Sequence, residues 1–189
     1  MKGVNIFLAD GFEDIEALGT NDALLRGGIR TNLIAISDEP FVQSSHGLTL
    51  GVENNLPEMN ISHSGTTAKD VMIFPGGMPG SRNLASCKPL VKAMKEHYAA
   101  GGTVAAICAA PGLVLSQLED LEGVEFTCFD GFENYLVEKG AKFTPKPAVR
   151  SGRIITGRSA GHAVSFALEI LEFIKDKETV ESVRHAMYL

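Results

Sequence analysis

The stretch Thr103-Val104-Ala105-Ala106-Ile107-Cys108-Ala109-Ala110-Pro111-Gly112 decides how the chain is read. Small and β-branched apolar residues run to Ile107 and spell a buried strand. The pattern breaks at Cys108 and continues through small residues and Pro111 into an apolar run, Leu113 to Leu118, that reads as a helix. A strand that turns sharply into a helix strains its turn residue and pushes that side chain out over the sheet edge. Helix N-terminal dipoles beside Cys108 would favour thiolate over thiol. Cys108 is therefore either a nucleophilic or redox-active thiol at an elbow, or a core cysteine, since free cysteines are among the most buried residues.

Outward from that stretch the chain alternates strands and helices. Residues 3–9 form a strand, Asp10-Gly11-Phe12 turns, and a helix opens at Glu13 and runs to about Arg26, where Gly27-Gly28 ends it. Residues 30–36 make the next strand, completing a βαβ unit that calls for a parallel sheet. Short strand pieces fall around Leu48-Thr49-Leu50 and Val52, and Asn60 to Lys69 reads as a surface loop. Asp70 to Phe74 is a buried strand ended by Pro75-Gly76-Gly77. Residues 83–100 read as one helix with Leu90, Val91, Met94 and Tyr98 inward, and 124–127 as a short strand before an aromatic loop. A hairpin turns at Ser151-Gly152 between 147–150 and 153–156. Helices follow at about 162–174 and 177–186.

The chain has 189 residues, 44% of them hydrophobic and 21% charged, which suits a single globular domain over 1–189. The net charge of -6 and the lack of a Lys/Arg cluster argue against nucleic acid. No apolar run reaches the roughly 20 residues of a membrane span. Cys87, Cys108 and Cys128 are an odd, widely spaced set. They form neither a disulfide framework nor a metal-ligand pattern, and they suit a reducing, cytoplasmic setting.

Ligands in open α/β sheets sit beyond the carboxyl ends of strands. Four such ends carry candidate residues. At the first, Glu13 and Asp14 read as helix N-terminal acids on a solvated face, and Glu16 matters only if its helix turns it toward Cys108. A carboxyl pressed on a thiolate would hold a proton, which it could donate to sulfur and relay. At the second, Gly76 and Gly77 offer amides for an oxyanion, or simply a tight turn. Cys108 is the third end, and Gly157-Arg158-Ser159 the fourth. Cys87 reads as an inert filler, and the scattered His46, His63, His97, His162 and His185 as surface residues. None adjoins Cys108 in sequence.

Four segments, Gly11-Phe12-Glu13-Asp14-Ile15-Glu16, Phe74-Pro75-Gly76-Gly77, Ala105-Ala106-Ile107-Cys108-Ala109-Ala110-Pro111 and Thr156-Gly157-Arg158-Ser159-Ala160-Gly161, stand in one order over nearly the whole chain. Together they resemble the ThiJ/PfpI superfamily, in the branch of the parkinsonism-associated protein and its bacterial ThiJ-like relatives. The resemblance implies a flavodoxin-like three-layer α/β sandwich, with helices on both faces of a mostly parallel central sheet, in a homodimer. It implies that Cys108 is reactive, that Glu16 is its protonated partner, and that the amides of Gly76, Gly77 and Ala109 surround the sulfur. It brings Arg26 near the site and makes Cys128 and Arg158 possible supporting residues. Activities in this branch include cofactor-free conversion of methylglyoxal or glyoxal, removal of glyoxal adducts from proteins, sensing through a cysteine sulfinate, and chaperoning.

Departures from the pattern narrow the reading. Ala109 stands where protease-like members place a histidine, which disfavours amide or peptide hydrolysis. Cys128 stands where some relatives keep a histidine, and Asp130 where bacterial relatives have proline. The resulting expectation is a cytoplasmic stress-response protein acting on small α-oxoaldehydes, needing neither metal nor other cofactor. The alternative is a redox sensor or chaperone working through oxidation of Cys108.

Overall fold

The computed structural model describes residues 1–189. Its strands are β1 (Val4–Leu8), β2 (Thr31–Ala35), β3 (Phe41–Gln43), β4 (Thr49–Gly51), β5 (Asn54–Asn55), β6 (Val71–Phe74), β7 (Thr103–Ile107), β8 (Glu125–Phe126), β9 (Lys142–Phe143), β10 (Ala148–Ser151) and β11 (Ile154–Gly157). Seven form one sheet in the order β10-β11-β7-β6-β1-β2-β5. Neighbours run parallel except in the β10–β11 hairpin at the edge. The α-helices are α1 (Thr20–Arg26), α2 (Gly80–Ser86), α3 (Lys88–Ala99), α4 (Ala110–Leu113), α5 (Asn134–Val137), α6 (Ala163–Ile174) and α7 (Lys177–Ala186).

Alternation along the strands builds two cores. Ile6, Leu8, Ile73, Ala105 and Ile107 pack with Leu24 of α1, Phe166 and Ile170 of α6 and Val180 of α7. Their neighbours Phe7, Met72, Phe74, Val104 and Ala106 point the other way, onto Leu84 of α2 and Leu90 and Met94 of α3. Burial on both faces explains why these strands read as continuous apolar runs. Each fully buried large side chain contributes about 1.5–3 kcal/mol. The result is the expected three-layer α/β sandwich with a mostly parallel central sheet.

Three expected helices differ in detail. Ile15–Gly19 forms a π-helical turn before α1, in place of regular helix from Glu13. The helix expected over 83–100 is divided at Cys87, whose ψ of 91° is extended. Pro89 then occupies the first turn of α3, where a missing N–H leaves no bond unmade. The run from Leu113 to Leu118 does not make a long helix after Cys108. It gives the single turn of α4 and a 3-10 turn at Leu115–Gln117, with Val114, Leu115 and Leu118 buried in the core.

The histidines are not all surface residues. His97 is fully buried at the amino end of the sheet, on the α3 face that also carries Leu90 and Met94. Its Nε2 lies 3.1 Å from the Asp70 carbonyl and 3.2 Å from the Thr103 carbonyl. Two acceptors there place the ring proton on Nε2 and leave Nδ1 bare, 3.4 Å from the Met1 α-amino group. That amine also donates to Thr66 Oγ1 and lies 3.0 Å from His63 Nδ1. Burial, then the nearby positive amine, pushes His97 down to about 4.

A histidine held neutral on folding makes stability depend on pH. Below its ordinary value the unfolded chain takes up a proton that the folded chain refuses until about pH 4. Stability from this group is therefore lost as pH falls from about 6.5 to about 4, by on the order of 2 kcal/mol. Thermal melts should fall by roughly 5 °C over that window, and the His97→Gln variant should show a flatter profile from a lower starting point.

Candidate active site

Cys108 sits at the carboxyl end of β7 with φ of 65°, in the left-handed region. That conformation costs a non-glycine residue about 1–2 kcal/mol. Two backbone bonds hold it: its N–H donates to the Gly157 carbonyl at 3.0 Å, and its carbonyl accepts the Phe129 N–H at 2.8 Å. At about 1 kcal/mol each they offset the strain. The elbow is thus tied to β11 on one side and to the 127–133 loop on the other, and its side chain is half-buried.

Glu16 lies in the π-helical turn and is 1% exposed. Its Oε2 accepts the Gly76 N–H at 2.7 Å, while Oε1 is buried without a protein partner. Its carboxyl and the Cys108 side chain both lie against Gly76. Gly76 makes this approach possible. A Cβ there would press on Glu16 Oε2 and lie 2.6 Å from Cys108 Cβ and 3.1 Å from its Sγ. Gly77, with φ of 89°, packs as closely on the turn after β1, where a Cβ would lie 2.5 Å from the Glu13 nitrogen.

Burial pushes Glu16 up to about 7, and the charge of Glu13 adds to the shift. Burial, then the negative charge of Glu16, pushes the Cys108 thiol up to about 12. The backbone N–H groups of Ala109 and Gly77 pull it back down. Helix dipoles therefore do not hold Cys108 as a thiolate, because α4 is one turn long and burial outweighs it. A thiolate here requires transfer of the thiol proton to Glu16. The carboxyl then no longer repels the sulfur, and its unpartnered Oε1 can carry the proton that bonds to it.

The structure thus brings Cys108, Glu16, Gly77 and Ala109 together. The Gly76 amide faces Glu16 rather than the sulfur. Arg26 does not join the group in this chain. It closes α1, pairs with Asp22 at 2.7 Å, and borders a surface groove with Asp176 and Ser182. Cys128 is buried in the core on the α2–α3 face, whereas Cys108 packs on the α1–α6 face. Arg158 binds Asp130 at 2.6 Å and lies over the Phe143 ring, so it acts beside Cys128. His162 Nδ1 lies 3.1 Å from Ser159 Oγ. Glu13, read from sequence as a solvated acid, instead accepts the Glu16 N–H at 2.7 Å. Asp14 pairs with His46 Nδ1 at 2.6 Å, and ligand atoms of Glu13, Asp14 and His46 lie within 4.8 Å of one another. The acid three positions before Glu16 was the available sign of the first contact; nothing in sequence joined 14 to 46.

The DJ-1/PfpI family model matches residues 2–173. A relative from Caenorhabditis elegans, named glutathione-independent glyoxalase DJR-1.2, is 32% identical over 171 residues, covering 90% of this chain and 87% of its own. The chain spans less than half the length of two Arabidopsis thaliana relatives. Protein DJ-1 homolog B, for example, is 31% identical across 96% of this chain but 40% of its own length. Among solved structures, Drosophila melanogaster DJ-1beta superposes with a TM-score of 0.88 at 28% identity, covering 100% of this chain and 98% of that one.

Two substitutions test the geometry. Gly76→Ala should displace Glu16 or Cys108 and lower the melting free energy by about 1–3 kcal/mol. Glu16→Gln should show the opposite trend with pH. The raised Glu16 value means its contribution is present below its ordinary range and lost as pH rises through about 7. Relative to wild type, the Glu16→Gln melt should rise steadily from about pH 5 to about pH 8.

Proposed function

The chain belongs to the DJ-1/PfpI family, and from that premise we propose that it converts small α-oxoaldehydes to 2-hydroxy acids with Cys108 as nucleophile. The observation that carries the reading is the buried Glu16 carboxyl, with one oxygen unpartnered, set against a half-buried elbow thiol. The glyoxalase name of the nematode relative supports the substrate class.

The steps follow from the groups present. The thiol proton passes to Glu16, and the sulfur adds to the aldehyde carbon. The Gly77 and Ala109 amides face the sulfur, where they can stabilise the new oxyanion. Glu16 returns its proton to that oxygen, giving a hemithioacetal. As carboxylate it then removes the hydrogen of the former aldehyde carbon and delivers it to the adjacent carbon through an enediol. The product is a thioester of the 2-hydroxy acid. Water cleaves it, releasing the acid and restoring the thiol. Aldehyde plus water equals hydroxy acid, so no external oxidant or reductant enters. The scheme places on Glu16 a carboxyl titrating near neutrality, which is what a proton shuttle needs.

A second reading has one specific support. The half-buried sulfur with two amides and a protonated carboxyl around it would also stabilise a sulfinate, so Cys108 can serve as an oxidation sensor. A homodimer and a cytoplasmic setting complete the proposal. Ile15, Phe41 and Leu48, half-exposed near the turn after β1 and on the β3–β4 hairpin, give such a dimer apolar surface to cover. No helix is long and apolar enough to cross a membrane.

Methylglyoxal loss and lactate formation should fall by at least about 100-fold in Cys108→Ala and in Glu16→Gln. Equal rates in all three proteins would overturn the proposal. Mild peroxide followed by peptide mass analysis separates the second reading, which requires Cys108 to oxidise before Cys87 and Cys128.

A further inference from the structure

Three hydrogen bonds close a ring around the base of Glu16. The Glu13 N–H donates to the Gly76 carbonyl at 3.0 Å. The Gly76 N–H donates to Glu16 Oε2 at 2.7 Å. The Glu16 N–H donates back to Glu13 Oε2 at 2.7 Å. We infer that Glu13 is a positioning residue for Glu16, holding its carboxyl against Cys108 through this closed ring. The inference rests on the reading of Glu16 as proton carrier and adds a second acid to the machinery.

The ring ties the turn after β1 to the Pro75-Gly76-Gly77 turn after β6, where Gly77 also packs closely on Phe12 and Glu13. An acid is required at position 13 for more than its acceptor oxygen. Its charge opposes ionisation of Glu16, so the same side chain aims the carboxyl and helps keep the proton on it. The other groups around Glu16 do not duplicate this. Cys108 faces it from the end of β7 and the Gly76 amide from the turn after β6. Ala163, at the start of α6, lies where a Cβ on Gly19 of the same π-helical turn would come within 3.8 Å of its own Cβ. The His162 ring beside it is taken up by Ser159. On the outer side of Glu13 stand Asp14 and His46, bonded to each other at 2.6 Å.

The test reads the sulfur directly. Alkylation of Cys108 by iodoacetamide, followed by peptide mass analysis from about pH 5 to about pH 10, reports when the Glu16–Cys108 pair releases its first proton. In wild type this gives an inflection that Glu16→Gln lacks. Glu13→Gln keeps an acceptor oxygen and loses the charge. Its inflection should move to lower pH by roughly half a unit with the plateau rate retained. Glu13→Ala should show the same move and a plateau about five- to tenfold lower, because the carboxyl is no longer aimed. Inflections unmoved in both variants overturn the inference. So does a plateau in Glu13→Gln as low as in Glu13→Ala. If Glu13→Ala does not fold by thermal melt, Glu13→Gln decides alone, a moved inflection supporting the inference and an unmoved one overturning it. Alkylation needs no aldehyde turnover, so the role of Glu13 is decided whether or not methylglyoxal is consumed.

Discussion

Glu16 and Cys108 occupy a corner too dry for two negative charges, and the rest of the site follows from that constraint. One proton must stay on the pair near neutrality, and it can sit on oxygen or on sulfur. In the proposed reaction, placing it on Glu16 would free the sulfur to attack, and passing it on to the substrate oxygen would leave the carboxylate free to remove a hydrogen from carbon. A single glycine sets the spacing. Gly76 lacks the Cβ that would separate the two groups, and its N–H fixes which carboxylate oxygen is left for the proton.

The sheet supplies the rigidity this arrangement needs. The ends of β6 and β7 and the turn after β1 are neighbours because β7-β6-β1 is a continuous run of parallel pairing. Cys108, Gly76 and Glu16 each lie just beyond one of these carboxyl ends. The apolar cores on both faces leave the strands little freedom to slide, since a one-residue shift would turn Ile6 and Phe7 to the wrong sides. A left-handed cysteine is tolerable on such a base, with β11 and the 127–133 loop bonded to it from either side.

Much of the fold was legible because its strands are short apolar runs bounded by glycine and proline. The elbow was legible for the same reason: Ile107-Cys108-Ala109 breaks one period without beginning another. Local boundaries were less so. Pro89 reads equally as a mid-helix disruption or a first-turn residue, and only the extended Cys87 shows which. The apolar residues from Leu113 to Leu118 satisfy core packing without helical hydrogen bonding, a choice periodicity cannot see. In the site, Cys108, Glu16, Gly77 and Ala109 lie together, a placement implied by the four segments taken together and by no single one of them. Arg26 belongs to a helix end facing another groove in this chain, and His97 was hidden because one histidine among Leu90, Met94 and Tyr98 looks like a surface interruption. Glu13 was undervalued since an acid at a helix start already has a sufficient electrostatic reason to be there.

The backbone of Cys108 is fastened at both its N–H and its carbonyl, while its sulfur is left half open. Chemistry at that atom is mechanically decoupled from the scaffold. A hemithioacetal, a thioester or an oxidised sulfur would each hang from the same pinned hinge. Under the proposed chemistry the chain would pass through several covalent identities while presenting one architecture, much as a socket accepts different fittings.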